Sequence, residues 1–404
     1  MPVWSVIIVG FGIILVSLYF ESVRLAMIRR SLNLRIGVTG TRGKSSVTRL
    51  IAAALRNSGH RVVAKTTGSR PMLIHVDGSE ERIDRTGVAS IIEQKKLLFL
   101  ALSEHASAFV SEIMSILPEN QAVESARILG LNVCVITNVR VDHESEQGSS
   151  KPAVATALST SVPKGGIVIC TEGADLPELR MEVLRKGATL KVAPQRLSCD
   201  LRELVPHLGY DEFEENLSVA LETCLCLGLD AELALRSMAD TTPDLGALRT
   251  WSWVDETHGA QVSFTNAFAA NDVESSLIVL DRVIAGTISG SAVPLVGILN
   301  LRADRGERTL QWMKVIRNGL PGALAAIHVT GAHARLVAWR LRNSGIRCVT
   351  ANSRRPDELF SALLYEYPEG VQVIGLGNIA GTGAGIVAWC AGRVALETVG
   401  SDAC

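Results

Sequence analysis

VTGTRGKSS, residues 38–46, is the stretch on which the fold of this chain turns. It falls one glycine short of a full phosphate-binding loop, because the position five before Gly43 is Val38 and the glycine stands at Gly40 instead. The residues on either side supply the context. Leu34 to Thr39 (LRIGVT) is a short strand-like run, and Ser45 to Gly59 carries Val47, Leu50, Ile51, Ala54 and Leu55 at helical spacings of three and four. Strand, glycine loop and helix together bring backbone N–H groups and a helix N-terminus onto phosphate oxygens. In that reading Gly40 and Gly43 free the backbone, and Thr41, Arg42 and Ser46 complete the loop. Lys44 reaches the outer phosphates of a nucleotide, and Ser45 offers a hydroxyl to Mg²⁺. A plain glycine turn ahead of a helix is the bland alternative, and it leaves the Lys-Ser pair unexplained.

Working outward, further apolar runs end in polar turns. Strands are expected at Ala108 to Val110, Asn132 to Thr137 and Gly166 to Thr171, with helical patterns between them, which argues parallel α/β units. One helical stretch is expected from Asn216 to Met238. Thr241 to Arg249 (TTPDLGALR) has the Pro/Gly composition of a linker. Beyond it VSFTNAF, PLVGILN, AAIHVTG and VQVIGLGN alternate with helices such as Ala332 to Ser344. The expected division is an anchor and basic flank at 1–30, a nucleotide-binding domain at 31–240, a linker at 241–249 and a second α/β domain at 250–404. A chain of 404 residues is long enough for two cores.

A balance of 40 basic and 41 acidic residues gives no electrostatic drive toward nucleic acid. The 8 cysteines are scattered, without CxxC pairs, and read as small core residues of a reducing compartment. From Val3 to Phe20, 18 residues carry no charge, just enough to span a bilayer as a helix. Arg24, Arg29, Arg30 and Arg35 follow. The positive-inside tendency then places a single-pass anchor in the cell membrane with the body of the protein in the cytoplasm. A cleaved signal peptide would need a basic region before the run and a small-residue site after it, and a peripheral helix is the other alternative at this length.

Two more clusters follow strands. Glu112, in FVSEIMS, stands where a carboxylate could bind the same Mg²⁺, although an exposed glutamate after a strand is commonplace. TNVRVDHES gathers Asn138, Asp142 and His143 at the C-terminal edge of the sheet, where ligands collect in such folds. His143 could ligate a metal ion or orient a γ-phosphate.

GTRGKSS, the Ser-Glu of FVSEIMS and TNVRVDH, in that order, resemble the Mur ligase superfamily, whose members join a carboxylate to an amine using ATP. Within it the chain is most similar to poly-γ-glutamate synthase ligase subunits, through VTGTRGKSSVTRL, AKTTG, PDLGALR, NAFAANDVESS, NLRADR, GLGNIAG and the apolar N-terminus. The resemblance implies a P-loop-containing, Mur-ligase-like α/β ATPase domain with a parallel sheet, then a second Rossmann-like α/β domain, behind a membrane helix. Only about twenty residues separate the apolar run from Gly40, too few for a domain, so the uridine-nucleotide mode of peptidoglycan ligases is not expected. ALSTSV, residues 157–162, stands about where many relatives carry a carbamoylated lysine and has none.

By the same resemblance Arg249 would reach a phosphate of ATP. Asn266 stands where relatives often have an acidic ribose contact, and Asn271 with Asp272 suits a nucleotide-contacting loop. Arg302 and Arg305 of NLRADR would hold substrate carboxylates, since guanidinium forks match them. The implied activity is ATP-dependent elongation of a poly-γ-glutamate chain with glutamate through a γ-glutamyl phosphate. Its implied partners are membrane subunits of a polymer synthase and export complex (CapC- and CapA-like), and a homo-oligomer stays open. The rivals are a ligase like folylpolyglutamate synthase and a membrane-tethered P-loop NTPase that drives export without making a bond.

Overall fold

A computed structural model describes residues 3–401 apart from Ser69, Thr86, Val88, 204–211, His258, Asn271, 287–292, Leu320, 322–323 and 352–354. No proline interrupts the N-terminal segment, and it forms one helix, α1 (Val3–Ser31). Its two halves differ. Trp4, Phe11 and Phe20 are exposed, whereas Leu25, Ile28 and, just past the helix end, Leu32 are buried with Leu97, Leu98, Phe109 and Ile113. The contact runs along α3 (Glu93–Ser103), where Lys95 Nζ lies 2.5 Å from Glu21 and Arg24 sits 4.1 Å over the Phe99 ring. Among the described residues α1 is the one helix long and apolar enough to cross a membrane.

The chain divides into two compact units between Thr242 and Pro243, inside the stretch read as a linker, with Glu212 grouped in the second. The first unit includes α1, so the expected boundary at residue 30 cuts through a helix whose second half belongs to the core.

The sheet of the first unit runs through β1 (Leu34–Thr39), β2 (Val62–Thr66), β3 (Met72–Ile74), β4 (Glu80–Arg82), β5 (Ala108–Glu112), β6 (Val133–Ile136), β7 (Ile167–Thr171) and β8 (Thr189–Ala193). Its order is β4-β3-β2-β5-β1-β6-β7-β8, parallel from β2 to β8, with β3 and β4 added antiparallel at one edge. The crossover from β1 leads to β2 on one side, and that from β5 leads to β6 on the other. The loop after β1 therefore opens at the point where strand order reverses, the usual ligand crevice of an open α/β sheet. The β1 to β2 crossover is α2 (Lys44–Asn57), whose Val47, Leu50, Ile51, Ala54 and Leu55 are buried on Ile36, Val38, Val62 and Val110.

The helix expected from Asn216 to Met238 is two helices, Glu214–Cys226 and Ala231–Ala239. Gly228 between them takes φ +83°, and the Asp230 side chain caps the second by accepting from Leu233 N at 2.9 Å. Both residues end or start helices rather than continue them.

The second unit holds β9 (Thr250–Asp255), β10 (Ala260–Asn266), β11 (Leu295–Leu301), β12 (Leu324–Gly331), β13 (Cys348–Thr350) and β14 (Gly370–Gly377), in the order β13-β12-β11-β14-β10-β9. Only β9 is antiparallel, at the edge. Trp253, Phe264, Phe268 and Phe360 form an aromatic cluster in its core. Most described cysteines are buried thiols, with Cys134, Cys170 and Cys224 pushed up to about 12 by burial. Cys199 departs from the expectation and is exposed.

Candidate functional site

Register alone brings the three clusters of the first unit together. Val38 of β1 pairs with Glu112 of β5, and Thr39 with Ile136 of β6, so the glycine loop, Glu112 and the TNVRVDH segment leave adjacent strands at the same edge.

Both loop glycines are sterically required. Gly40 (φ +129°) would bring a Cβ within 2.2 Å of Thr137 Oγ1, and Gly43 (φ +80°) within 2.3 Å of Asn216 Oδ1. The segment after β6 holds the loop from below. Arg42 N donates to Asn138 Oδ1 at 2.9 Å and Asn138 Nδ2 to Arg42 O at 3.1 Å, while Thr41 N donates to Asn138 O at 3.2 Å. Arg140 N in turn donates to Thr41 Oγ1 at 3.0 Å. The Asn138 side chain is thus a clamp on the loop backbone.

Lys44 opens α2, and its Nζ donates to Gly40 O at 2.8 Å, which folds the side chain back over its own loop. Burial holds its ammonium below the ordinary lysine value, against the opposing pull of Glu112. Ser45 Oγ donates to Glu112 Oε2 at 2.7 Å, and the same oxygen accepts from Thr67 N at 2.6 Å. Glu112 is almost fully buried, so its carboxylate is aimed rather than free to wander. Ser46 lies partly buried in the first turn of α2.

Arg42 Nη2 contacts Asp142 Oδ2 at 3.0 Å, and His143 Nε2 lies 3.7 Å from the same oxygen. His143 holds φ +53° at the start of a one-turn helix, unusual for a residue other than glycine. Among the described residues no three His, Cys, Asp or Glu side chains converge as a metal cluster. The pair that suits a hard cation is Glu112 with Ser45, since Mg²⁺ takes one or two protein oxygens and completes its shell with water and phosphate.

Several neighbours of this edge carry no obvious mark in the sequence. Lys65 is fully buried on β2, with Nζ 3.0 Å from Glu93, which Arg85 also grips at 2.7 Å. Burial lowers the Lys65 pKa, while Glu93 pulls it up. Asn216 packs on Gly43, and Glu215 lies 3.7 Å from Arg140 with its carboxyl raised by burial. AKTTG could have pointed to Lys65 and Thr67, because a lysine inside an apolar strand is rarely buried without a partner.

In the second unit the expected residues are engaged locally. Asn266 is buried, and its Nδ2 donates to Leu245 O and Ala247 O, both at 3.2 Å, so it pins the segment that precedes β9. Asp272 Oδ1 accepts from Ser275 N at 2.7 Å at the start of the helix Val273–Gly286, which is helix capping. Asn271 lies outside the described residues. Arg249 is partly buried, 6.0 Å from the Trp251 ring, and its carbonyl accepts from Asn266 N at 2.8 Å. Arg302 forms a two-pronged pair with Asp304 at 2.8 and 2.6 Å, and Arg305 precedes the helix Gly306–Arg317.

Comparison with known proteins matches residues 38–183 to the Mur ligase middle domain and residues 253–393 to the poly-gamma-glutamate synthase CapB C-terminal domain. PGA synthase CapB of Bacillus subtilis (strain 168) is 32% identical over 308 residues, 76% of this chain and 77% of that one. Capsule biosynthesis protein CapB of Bacillus anthracis is 33% identical over 287 residues, 70% of this chain and 60% of that one. Among solved structures, E. coli FolC in complex with ADP aligns with TM-score 0.68 at 14% identity, covering 93% of this chain and 92% of FolC. MurF from Acinetobacter baumannii aligns with TM-score 0.63 at 14% identity, covering 92% and 78%. The fold is therefore that of the Mur ligases and FolC, and by sequence the chain belongs to the CapB family of poly-γ-glutamate synthases.

Proposed function

We propose that this ATP-dependent amide ligase elongates poly-γ-glutamate through a γ-glutamyl phosphate and releases ADP and phosphate. The contact of Ser45 with Glu112 beside the Lys44 loop carries the reading, since it sets a hydroxyl and a carboxylate next to a phosphate cradle.

A carboxylate is a poor electrophile, which is why ATP is consumed. An oxygen of the terminal γ-carboxylate attacks the γ-phosphorus, and the bond to the β-phosphate oxygen breaks as ADP leaves. The amine of the next glutamate then attacks the acyl carbon, phosphate departs with the carboxylate oxygen, and the amine proton is lost. The backbone N–H groups of Gly40 to Gly43 and the start of α2 hold the phosphates. Lys44 exchanges Gly40 O for phosphate oxygens and spreads the charge of the transferring group. Ser45 and Glu112 would hold Mg²⁺, which supplies further neutralisation of phosphate charge. His143 orients the γ-phosphate, while Asn138 and Asp142 keep the loop and Arg42 in place. Arg249, Asn271 and Asp272 are assigned to the nucleotide side of the second unit, and Arg302 and Arg305 to substrate carboxylates. Asn266 acts by fixing the segment that carries Arg249.

The exposed apolar half of α1 serves as a single-pass anchor in the cell membrane, with the catalytic units in the cytoplasm. CapC- and CapA-like membrane subunits are the proposed partners. Purified protein with its membrane partners restored should turn glutamate and ATP into γ-linked polymer, ADP and phosphate. Lys44→Ala should lower the rate about 100-fold or more, and full activity in that variant would sink the site assignment.

A further inference from the structure

Several arginines in this chain are matched with carboxylates: Arg42 with Asp142, Arg85 with Glu93, Arg180 with Asp175, Arg347 with Glu366. Arg29, Arg30 and Arg35 instead stand together. They line one open cavity of about 490 Å³ at the base of α1, together with Asn33, Gly130 and Asn132, and no acidic side chain is among its walls. None of these arginines has an ion-pair partner among the described residues.

Backbone carbonyls aim the guanidiniums. Arg29 Nη1 donates to Arg127 O at 2.7 Å, Arg35 Nε to Gly130 O at 2.7 Å and Arg35 Nη1 to Arg29 O at 2.7 Å. Asn132 Oδ1 accepts from Arg35 N at 2.8 Å and fixes the floor. Gly130 is part of the fit, since a Cβ there would lie 2.6 Å from Arg29 Cδ. Arg30 is exposed, Arg29 and Arg35 are partly buried, and all three line the opening. Arg35 is held below the ordinary arginine value by burial and then by the Arg29 charge.

We propose that this cavity binds the phosphate group of an anionic membrane lipid. Its place in the chain selects that source. Arg29 lies nine residues beyond Phe20, about 14 Å along the helix axis. That sets its backbone beyond the headgroup layer, about 5–8 Å thick on each face, and helical side chains lean back toward the N-terminus across the gap. Basic pockets at the cytoplasmic ends of membrane helices suit such headgroups. The proposal rests on the anchor reading of α1.

The test uses the full chain in a neutral detergent, titrated with short-chain phosphatidylglycerol or phosphatidylcholine, with bound lipid counted by native mass spectrometry. One phosphatidylglycerol should be retained and phosphatidylcholine lost. Arg30→Gln, which breaks no internal bond, should weaken retention about five-fold. Arg24→Gln, nearer the apolar run but outside the cavity, should leave it unchanged. Equal retention of both lipids, or equal loss with Arg24→Gln, overturns the proposal, because diffuse charge then explains the binding. Displacement by inorganic phosphate at the same concentration as the lipid assigns the cavity to free phosphate, and binding of soluble polyglutamate in place of lipid assigns it to the polymer; either also overturns it. The anchor is tested apart, by whether the protein stays in washed membranes without detergent, so the two failures are distinguishable.

Discussion

Glu112 is held in place because Thr67 N and Ser45 Oγ both donate to the same carboxylate oxygen. Behind it, Lys65 keeps a buried charge in place through Glu93. Removing one partner of a buried pair strands the other, which costs about 3–5 kcal/mol. Glu93→Gln should therefore lower the urea midpoint sharply, and an unchanged midpoint would show that Lys65 is not carried by that pair. A milder titration belongs to His75, whose Nδ1 lies 2.6 Å from Glu104. That hydrogen bond raises the His75 pKa, against the effect of burial. The stability it contributes is full below the unfolded value of about 6.5 and disappears as pH rises through the folded value. The stability lost in His75→Gln should thus be greatest in acid and vanish on the alkaline side; a loss independent of pH would assign His75 a packing role alone.

At the scale of elements, the phosphate loop is a junction of β1 and α2 clamped by the segment after β6. Gly40→Ala forces a left-handed conformation costing about 1–2 kcal/mol and drives a methyl group into Thr137. Nucleotide binding should fall at least ten-fold while the fold survives, and wild-type affinity would mean the loop moves freely on its clamp. Much of this junction was legible: the strand-like run of β1 and the helical spacing of α2 are plain, and Gly40, Lys44, Ser45, Glu112 and Asn138, singled out by type at or after strand ends, meet at one edge of the sheet. The short strands β3, β4 and β13 were not, since three residues carry no period. The break at Gly228 was hidden because apolar residues continue on both sides of it. Roles in the second unit read less well, because Asn266 and Asp272 are residues that serve turns and caps as readily as ligands.

For the whole molecule, the chain couples an unburied apolar half-helix to an α/β body through Leu25, Ile28 and Leu32. That continuity makes the second half of α1 part of the first unit's core, with the arginine cavity at its base. The fold is Mur-like and FolC-like, and membership of the CapB family makes the chain an ATP-dependent amide ligase. The most direct measurement follows the oxygen atoms. With the γ-carboxylate oxygens of both the starting chain end and the glutamate monomer isotopically labelled, so that every new chain end carries the label, one labelled oxygen should appear in released inorganic phosphate for each amide bond formed, alongside ADP. Label recovered in AMP, or phosphate released without it while amide bonds form, would contradict the γ-glutamyl phosphate route.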